Sequence, residues 1–576
     1  MYQPQLSAKR LSVVFLGLCG GLLLLTFKLV YLQLFQDHNL SGIAASQKNV
    51  VQQLPPHRGT IYDRNLRPLA MTLEVDSIYA NPAQIAQKER AAQQLSEILT
   101  VSREELSKRL HRKGYFIWVK RWASEEEAEE VKALKIEGVG TIKESKRFYP
   151  NGELAAHAVG IAGLDGVGLE GVEKTYDSYL KGSPGWLWIQ RDAKGRRIAS
   201  RSTDFIPPVH GYDVRLTIDE GLQFIVEKSL DEALRKIRCK GAMVVVMDPK
   251  NGDILALANR PTFNLNEFQS VDPERRRNRV VADFFEPGSV FKIVTASGAL
   301  QEKKVKMDQK FFCENGAWKT SGHILHDHKP HGWLTFEQVI EKSSNIGTAK
   351  VAMLLGPQNL YRYVKAFGFG RPTEIELPGE VSGIVKPPSQ WSKPSITAIP
   401  MGHEVTTTAL QLAVAFSVVA NGGYLVRPRI VKEVRDSFQE PIKSVESEVK
   451  GRVLSPEVVA HMKKILVGVV EEGTGTLAKV KGYHAGGKTG TAQKVLPDGT
   501  YSHSNFVASF VGFIPADDPR LTICVIVDDP KPYYYGGVVS APIFKQIAAQ
   551  SMKYLEVPKA TIEGNEAELK VAKKGQ

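Results

Sequence analysis

At 576 residues, 43% hydrophobic and 24% charged, the chain is too long for one ordinary core and has the balance of folded domains, which excludes a disordered protein and points to two or three domains. The excess of 75 Lys+Arg over 62 Asp+Glu gives a net charge of +13, suited to an anionic surface or polymer. No zinc-finger spacing or RNA-binding signature accompanies that charge. The short clusters Arg275-Arg276-Arg277 and Lys303-Lys304-Val-Lys306 read as solvated faces, so nucleic acid is set aside as a partner.

The first feature in chain order is a short tail, residues 1–10, ending in Lys9 and Arg10. Residues 11–27 then run without a charge, and 29–35 continue past a single Lys28 that can snorkel, so 11–35 is long enough for one transmembrane helix. No small-x-small cleavage site follows, and Leu18 before Cys19 is too large for a lipoprotein site; the segment reads as an uncleaved anchor. With Lys9 and Arg10 before the helix and Gln36-Asp37-His38 after it, the positive-inside rule leaves the N-terminus in the cytoplasm and nearly everything beyond residue 36 outside.

Residues 44–215 mix short β-rich runs with charged helical ones such as Ser124-Glu-Glu-Glu-Ala-Glu-Glu-Val-Lys132, as expected of an irregular α+β domain. Prolines and a glycine over 206–212 mark a boundary to a second domain, 216–556. There 222–237 has helical period, and 242–247, the turn Pro249-Lys-Asn-Gly252 and 254–257 form a hairpin pattern. A helix-rich middle separates these from strand-like runs at 487–493, 506–514 and 521–527 and a helix over 541–554. The arrangement uniting them is one antiparallel sheet, closed by distant parts of the chain and flanked by helices. Residues 557–576 are polar and read as a disordered tail. The four cysteines, Cys19, Cys239, Cys313 and Cys524, are too scattered for a disulfide framework, and Cys524 within an apolar run reads as a buried thiol.

Three patterns carry chemistry, in the order Ser289-Val-Phe-Lys292, Ser343-Ser-Asn345 and Lys488-Thr-Gly-Thr491. Each alone is weak; the series is strong. Glu286-Pro-Gly288 can precede a helix with Ser289 near its N-terminus, and the i, i+3 spacing puts Lys292 on the same face, within reach of the serine. A partly desolvated ammonium crowded by other cations can lose its proton near neutral pH, making Ser289 the nucleophile and Lys292 its base. Ser343 would pass the proton to a leaving amine, and Asn345 would hold Lys292 and a substrate amide. Lys488 supplies positive charge, while Thr489 and Thr491 offer hydroxyls to a substrate carboxylate. If Lys488 to Thr491 lie on an edge strand, free backbone groups can pair with an extended peptide, the Thr491 N–H can complete an oxyanion hole, and Gly490 lets substrate approach closely.

This trio is the signature of penicillin-binding proteins and class A β-lactamases. The chain resembles class B penicillin-binding proteins, most closely the division-specific type that makes septal wall, over almost its whole length. Before the catalytic domain, Arg58-Gly-Thr-Ile-Tyr-Asp63-Arg64 with Leu69-Ala70, Arg147-Phe-Tyr-Pro150 and Gly168-Leu-Glu170-Gly-Val-Glu173 look like that family's N-terminal pedestal, or dimerisation-domain, motifs. Arg277-Asn-Arg279 leading to Phe285-Glu-Pro-Gly288, Gly402-His-Glu-Val405, and Tyr534-Tyr-Gly-Gly537 with Ser540-Ala-Pro542 look like its flanking elements and are taken as structural.

The resemblance implies a peptidoglycan D,D-transpeptidase in the bacterial inner membrane, with its catalytic domain outside and no cofactor. The donor would be a stem ending in D-Ala-D-Ala, the acceptor a neighbouring stem's amine, the inhibitors β-lactams, and the partners a SEDS-type glycosyltransferase and other division proteins. The alternatives are a carboxypeptidase or β-lactamase using the same acyl-enzyme, and a non-enzymatic division scaffold or antibiotic sensor. One departure is His323, His326, His328 and His331, crowded shortly before Ser343. The spacing matches no standard zinc site, so no metal is expected and the segment reads as a loop of solvated or hydrogen-bonded imidazoles.

Overall fold

The computed structural model describes residues 8–35, 49–190, 205–320, 322–496 and 498–559. The expected tails therefore lie largely outside the described residues, as do Gln36-Asp37-His38 and the side chain of His323. The described chain falls into two compact units, residues up to 56 with 182–210, and residues 57–181 with the rest.

The first unit holds the N-terminal helix Ala8–Phe35, which among the described residues is the one helix long and apolar enough to cross a membrane. Its large apolar side chains are exposed, as Leu24 at 74% illustrates, which suits lipid and not water as their surroundings. The same unit contains a three-stranded antiparallel sheet of Asn49–Leu54, Gly185–Gln190 and Phe205–Ile206.

The second unit is α+β, with two principal sheets. Five antiparallel strands form the central one: β1 (Gly241–Met247), β2 (Ile254–Arg260), β3 (Gly486–Val495), β4 (Tyr501–Ile514) and β5 (Leu521–Asp528), in the order β2-β1-β5-β4-β3. The hairpin pairs Ile254 with Met247, and Gly252 turns it with φ +85°. Every residue of β1 is buried, because both faces of the sheet are covered. The pleat divides the run between two cores. Ala242, Val244 and Val246 face a core built with α1 (Glu220–Leu234) and Phe544, Ile547 and Met552 of the C-terminal helix. Met243, Val245 and Met247 face the opposite core, with Leu412, Ala415 and Phe416.

The remaining helices that bear on the site are α2 (Lys292–Gln301), α3 (Asn345–Leu355), α4 (Ala409–Ala420), α5 (Pro456–Glu471) and α6 (Gly536–Tyr554). Helix α4 carries no charge and is buried along its whole length, consistent with its place against β1, β4 and β5 of the central sheet on one side and α5 on another. Helix α6 begins five residues ahead of the expected 541 and carries Pro542 in its second turn, where the ring removes one intrahelical N–H donor.

The second large sheet orders Pro441–Ser444, Val431–Arg435, Asp213–Leu216, Ile61–Tyr62, Pro68–Ala80 and Ile117–Lys120, with Val139–Phe148 pairing the long strand Pro68–Ala80. Asp213–Leu216 lies parallel to Ile61–Tyr62 and antiparallel to Val431–Arg435, so strands from both sides of residue 216 share one sheet. The expected charged helix forms as Glu125–Ala133, started by a Ser124/Glu127 capping box.

The motifs taken as structural meet in a buried ionic cluster. Glu173, fully buried, accepts from Arg58 Nε and Arg147 Nε, each at 2.6 Å. Arg58 also reaches Asp177 at 2.7 Å, and Arg147 donates to Gly59 O at 2.7 Å. Two guanidiniums are tolerable inside a protein here because Glu173 and Asp177 balance their charge, although Arg147 Nη2 finds no hydrogen-bond partner among the described residues. Past residue 556, the Val557 carbonyl accepts from Tyr483 OH at 2.6 Å, so packed chain continues slightly beyond the expected end of the domain.

Candidate active site

Ser289 sits in a 3₁₀ turn, Gly288–Phe291, and α2 begins at Lys292. In such a turn positions i and i+3 eclipse, which is the spacing of Ser289 and Lys292. Two glycines allow the turn to pack. Gly288 has φ +60°, and a Cβ there would lie 2.9 Å from Thr491 O; a Cβ on Gly402, φ +81°, would lie 2.3 Å from Gly288 O. Glu286, just before the turn, accepts from Glu404 N at 2.9 Å and from Tyr501 OH at 3.1 Å, and pairs with His403 Nδ1 at 2.8 Å. The Phe285-Glu-Pro-Gly288 and Gly402-His-Glu-Val405 motifs thus brace each other beneath the serine.

Lys292 is wholly buried and its ammonium nitrogen has three partners: Ser343 O at 2.7 Å, Asn345 Oδ1 at 2.8 Å and Ser343 Oγ at 3.2 Å. Lys488, also wholly buried, donates to Ser343 Oγ at 2.9 Å and to its neighbour's carbonyl, Thr489 O, at 3.1 Å. Ser343 Oγ therefore bridges the two lysines. Burial pulls the Lys292 amine down to about 7, with Asp327 and Cys313 opposing that shift. Lys488 is pulled well down by burial and by the charge of Lys292, so the two do not ionise independently. A neutral Lys292 has two N–H donors, matching the Ser343 carbonyl and Asn345 Oδ1, and one lone pair left to take a proton.

The Ser343-Ser-Asn345 motif is held from the histidine-rich segment. Asp327 Oδ1 accepts from Asn345 N at 2.5 Å and Ile346 N at 3.0 Å, its Oδ2 accepts from Ser344 Oγ at 2.6 Å, and His326 O accepts from Asn345 Nδ2 at 2.8 Å. Ser344 caps α3 through Gly347 N at 2.9 Å, and Ser343 has φ +60°, a strained value for a residue with a side chain. No group of three or more possible metal ligands occurs among the described residues. Of this segment's imidazoles, His328 packs on Tyr535 with ring centroids 4.7 Å apart, and Tyr535 stands beside Gly536, whose N–H donates to Thr491 Oγ1 at 3.1 Å.

Strand β3 is an edge of its sheet, so one row of its backbone groups has no partner strand, as expected. Three details of this strand are set by its neighbours. Lys488 points inward, so the positive charge it is expected to supply is directed at Ser343. The Thr489 hydroxyl is engaged with Thr474 Oγ1 at 2.7 Å. At Gly490 a Cβ would meet Ser509 Oγ at 2.2 Å and Pro287 O at 2.9 Å, so packing of the Ser289 turn on the sheet by itself requires the missing side chain. Asp327 and Thr474 were not singled out from sequence, because each acts on residues distant along the chain; Glu286 and His403 stand in motifs that were, but their pairing across 117 residues was not legible.

Two family models match: the penicillin-binding protein dimerisation domain over residues 53–216 and the penicillin binding protein transpeptidase domain over 242–549. The chain is 38% identical to stage V sporulation protein D of Bacillus subtilis, over 95% of this chain and 86% of that one. It is 32% identical to the peptidoglycan D,D-transpeptidase FtsI of Escherichia coli K12, covering 97% and 95%. Among solved structures, penicillin binding protein 3 of Mycobacterium tuberculosis complexed with aztreonam superposes with a TM-score of 0.69 at 30% identity, over 88% of this chain and 98% of that one. A peptidoglycan synthetase from Bifidobacterium adolescentis does so with a TM-score of 0.72 at 28% identity, covering 90% and 99%. The chain belongs to the penicillin-binding protein family, with a dimerisation domain ahead of a transpeptidase domain in the class B arrangement.

Proposed function

We propose that the chain is a membrane-anchored peptidoglycan D,D-transpeptidase that joins stem peptides through an acyl-enzyme on Ser289. The observation that carries the chemistry is the convergence of two buried lysines on Ser343 Oγ beside the nucleophile turn. Ser289 Oγ attacks the carbonyl of the penultimate D-Ala, and its proton passes to neutral Lys292. The oxyanion is held by the N–H groups of Ser289 and Thr491. As the tetrahedral intermediate collapses, the proton travels through Ser343 to the leaving D-Ala amine, with Lys488 supporting the Ser343 oxygen. A neighbouring stem's amine then attacks the ester, the reverse relay returns the proton to Ser289, and the cross-link leaves. The donor peptide pairs with the free edge of β3, where the Thr491 hydroxyl meets its carboxylate. A β-lactam opens along the same path, but its leaving nitrogen stays tethered in the site.

Residues 44–215 serve as the pedestal and 216–556 as the catalytic domain. Lys9 and Arg10 keep the N-terminus in the cytoplasm and place the catalytic domain outside the inner membrane. Septal wall is the product favoured by the FtsI relatives, in company with a SEDS-type glycosyltransferase and other division proteins. A second reading, spore wall, is favoured by the Bacillus relative named for sporulation.

Intact mass after incubation with a β-lactam tests the nucleophile: one adduct on the wild type, absent from Ser289→Ala, is expected. A D-Ala-D-Ala peptide with an added amine tests the reaction. Release of D-Ala without an amine adduct would assign a hydrolase instead. Depletion in the source organism that leaves septa intact would refute the septal assignment.

A further inference from the structure

The histidine-rich segment before Ser343 contributes its backbone and its one acid to the site. We propose that Asp327 is a positioning residue of the acyl transfer, fixing the second motif against Lys292 and setting a carboxylate behind it.

Three groups of that motif converge on one carboxylate: the N–H of Asn345, the N–H of Ile346 and the hydroxyl of Ser344. The next carbonyl back, His326 O, takes the Asn345 side-chain amide at 2.8 Å. Asn345 is thus held at its backbone by Asp327, at Nδ2 by His326 and at Oδ1 by Lys292. With Asn345 and Ser344 fixed, Ser343 is kept at φ +60°, the conformation in which both its carbonyl and its hydroxyl reach Lys292. A left-handed serine persists only where its neighbours hold it, and Asp327 supplies three of the bonds that do so.

Asp327 is itself held, its N–H donating to Gly316 O at 3.0 Å, so the carboxylate is delivered by the hairpin of Ala317–Thr320 with His323–His326. Among the described residues, the ionisable groups acting on Lys292 are Asp327, the Cys313 thiol and Lys488 from β3, with Asp327 as the carboxylate. Its negative charge stabilises the protonated lysine. Replacing it by a neutral group therefore favours the neutral amine at lower pH.

This inference rests on the acylation proposed for Ser289, so the test includes that reading. The full chain in detergent is labelled with a fluorescent penicillin over about pH 5 to 9, for wild type, Ser289→Ala, Asp327→Asn and Asp327→Ser, with melting temperatures recorded alongside. Failure of the wild type to label, or labelling of Ser289→Ala, would sink the acylation reading itself. With wild-type labelling in hand, Asp327→Asn is expected to lower the plateau rate by about tenfold or more and to move the acid limb to lower pH. Asp327→Ser removes the charge with a smaller side chain, and is expected to move the limb the same way if the Asn variant fails to fold. An unmoved or upward-shifted limb overturns the inference, as does an unchanged plateau; a lowered melting temperature with wild-type kinetics reduces Asp327 to a helix cap.

Discussion

Substituting Gly402 by alanine should separate the architecture of the nucleophile turn from its chemistry. Gly402 has φ +81°, and its missing Cβ points at the backbone of Gly288, 2.3 Å from the carbonyl oxygen and 2.6 Å from the nitrogen. Alanine incurs two costs there. The left-handed backbone costs about 1–3 kcal/mol. The clash is with backbone, which cannot rotate away, so the residue preceding Ser289 must move by most of an ångström to restore contact distance. A misplacement of about 1 Å can cost on the order of 10²-fold in rate. Gly379 provides the control, because it has the same φ of +81° and nothing within 4 Å of a Cβ. Gly379→Ala should lose the backbone increment in melting temperature and acylate normally. Gly402→Ala should lose a similar increment and, in addition, about two orders of magnitude in the second-order rate of acylation by a fluorescent penicillin, read by stopped flow. If Gly402→Ala acylates within about twofold of Gly379→Ala, the claim that these two loops position the serine is wrong.

The lysine at the site makes the acylation rate pH-dependent with a definite sign. Burial holds Lys292 near 7, so below that pH the base is protonated and the rate should fall about tenfold per unit; a flat profile from pH 5 to 9 would exclude it as base. The same shift bears on stability. The folded state has a depressed lysine, so it binds fewer protons than the unfolded chain between about pH 7 and 10.4, and stability should decline as pH falls through that window and level off below it. Glu173→Gln leaves two buried guanidiniums short of their shared charge and should cost about 3–5 kcal/mol in denaturant unfolding; a loss under about 1 kcal/mol would refute the ionic account of the cluster. Zinc added to the chain should leave the melting temperature unchanged, and a zinc-dependent rise would reopen the histidine segment as a metal site.

Sequence alone determined what short-range physics encodes. The charge-free run over 11–27 specifies a helix that water cannot accommodate, the apolar runs at 242–247 and 521–527 specify strands covered on both faces, and three motifs in fixed order mark the candidate reacting side chains. The expected central sheet was legible for the same reason, since strand runs and turn residues are local, whereas Arg58, Arg147 and Glu173 were marked as structural only by their resemblance to family motifs. Tertiary structure alone decided the rest. Which half of β1 faces which core depends on register, and a one-residue slip would exchange them. The union of Asp213–Leu216 with Val431–Arg435 joins segments with no local signal for each other. Lys488 turning inward to Ser343, Gly490 serving packing and Asp327 holding Asn345 each depend on a neighbour brought from elsewhere in the chain. A residue's type sets what it is able to bond. Where burial removes water, the fold decides which partner must satisfy it.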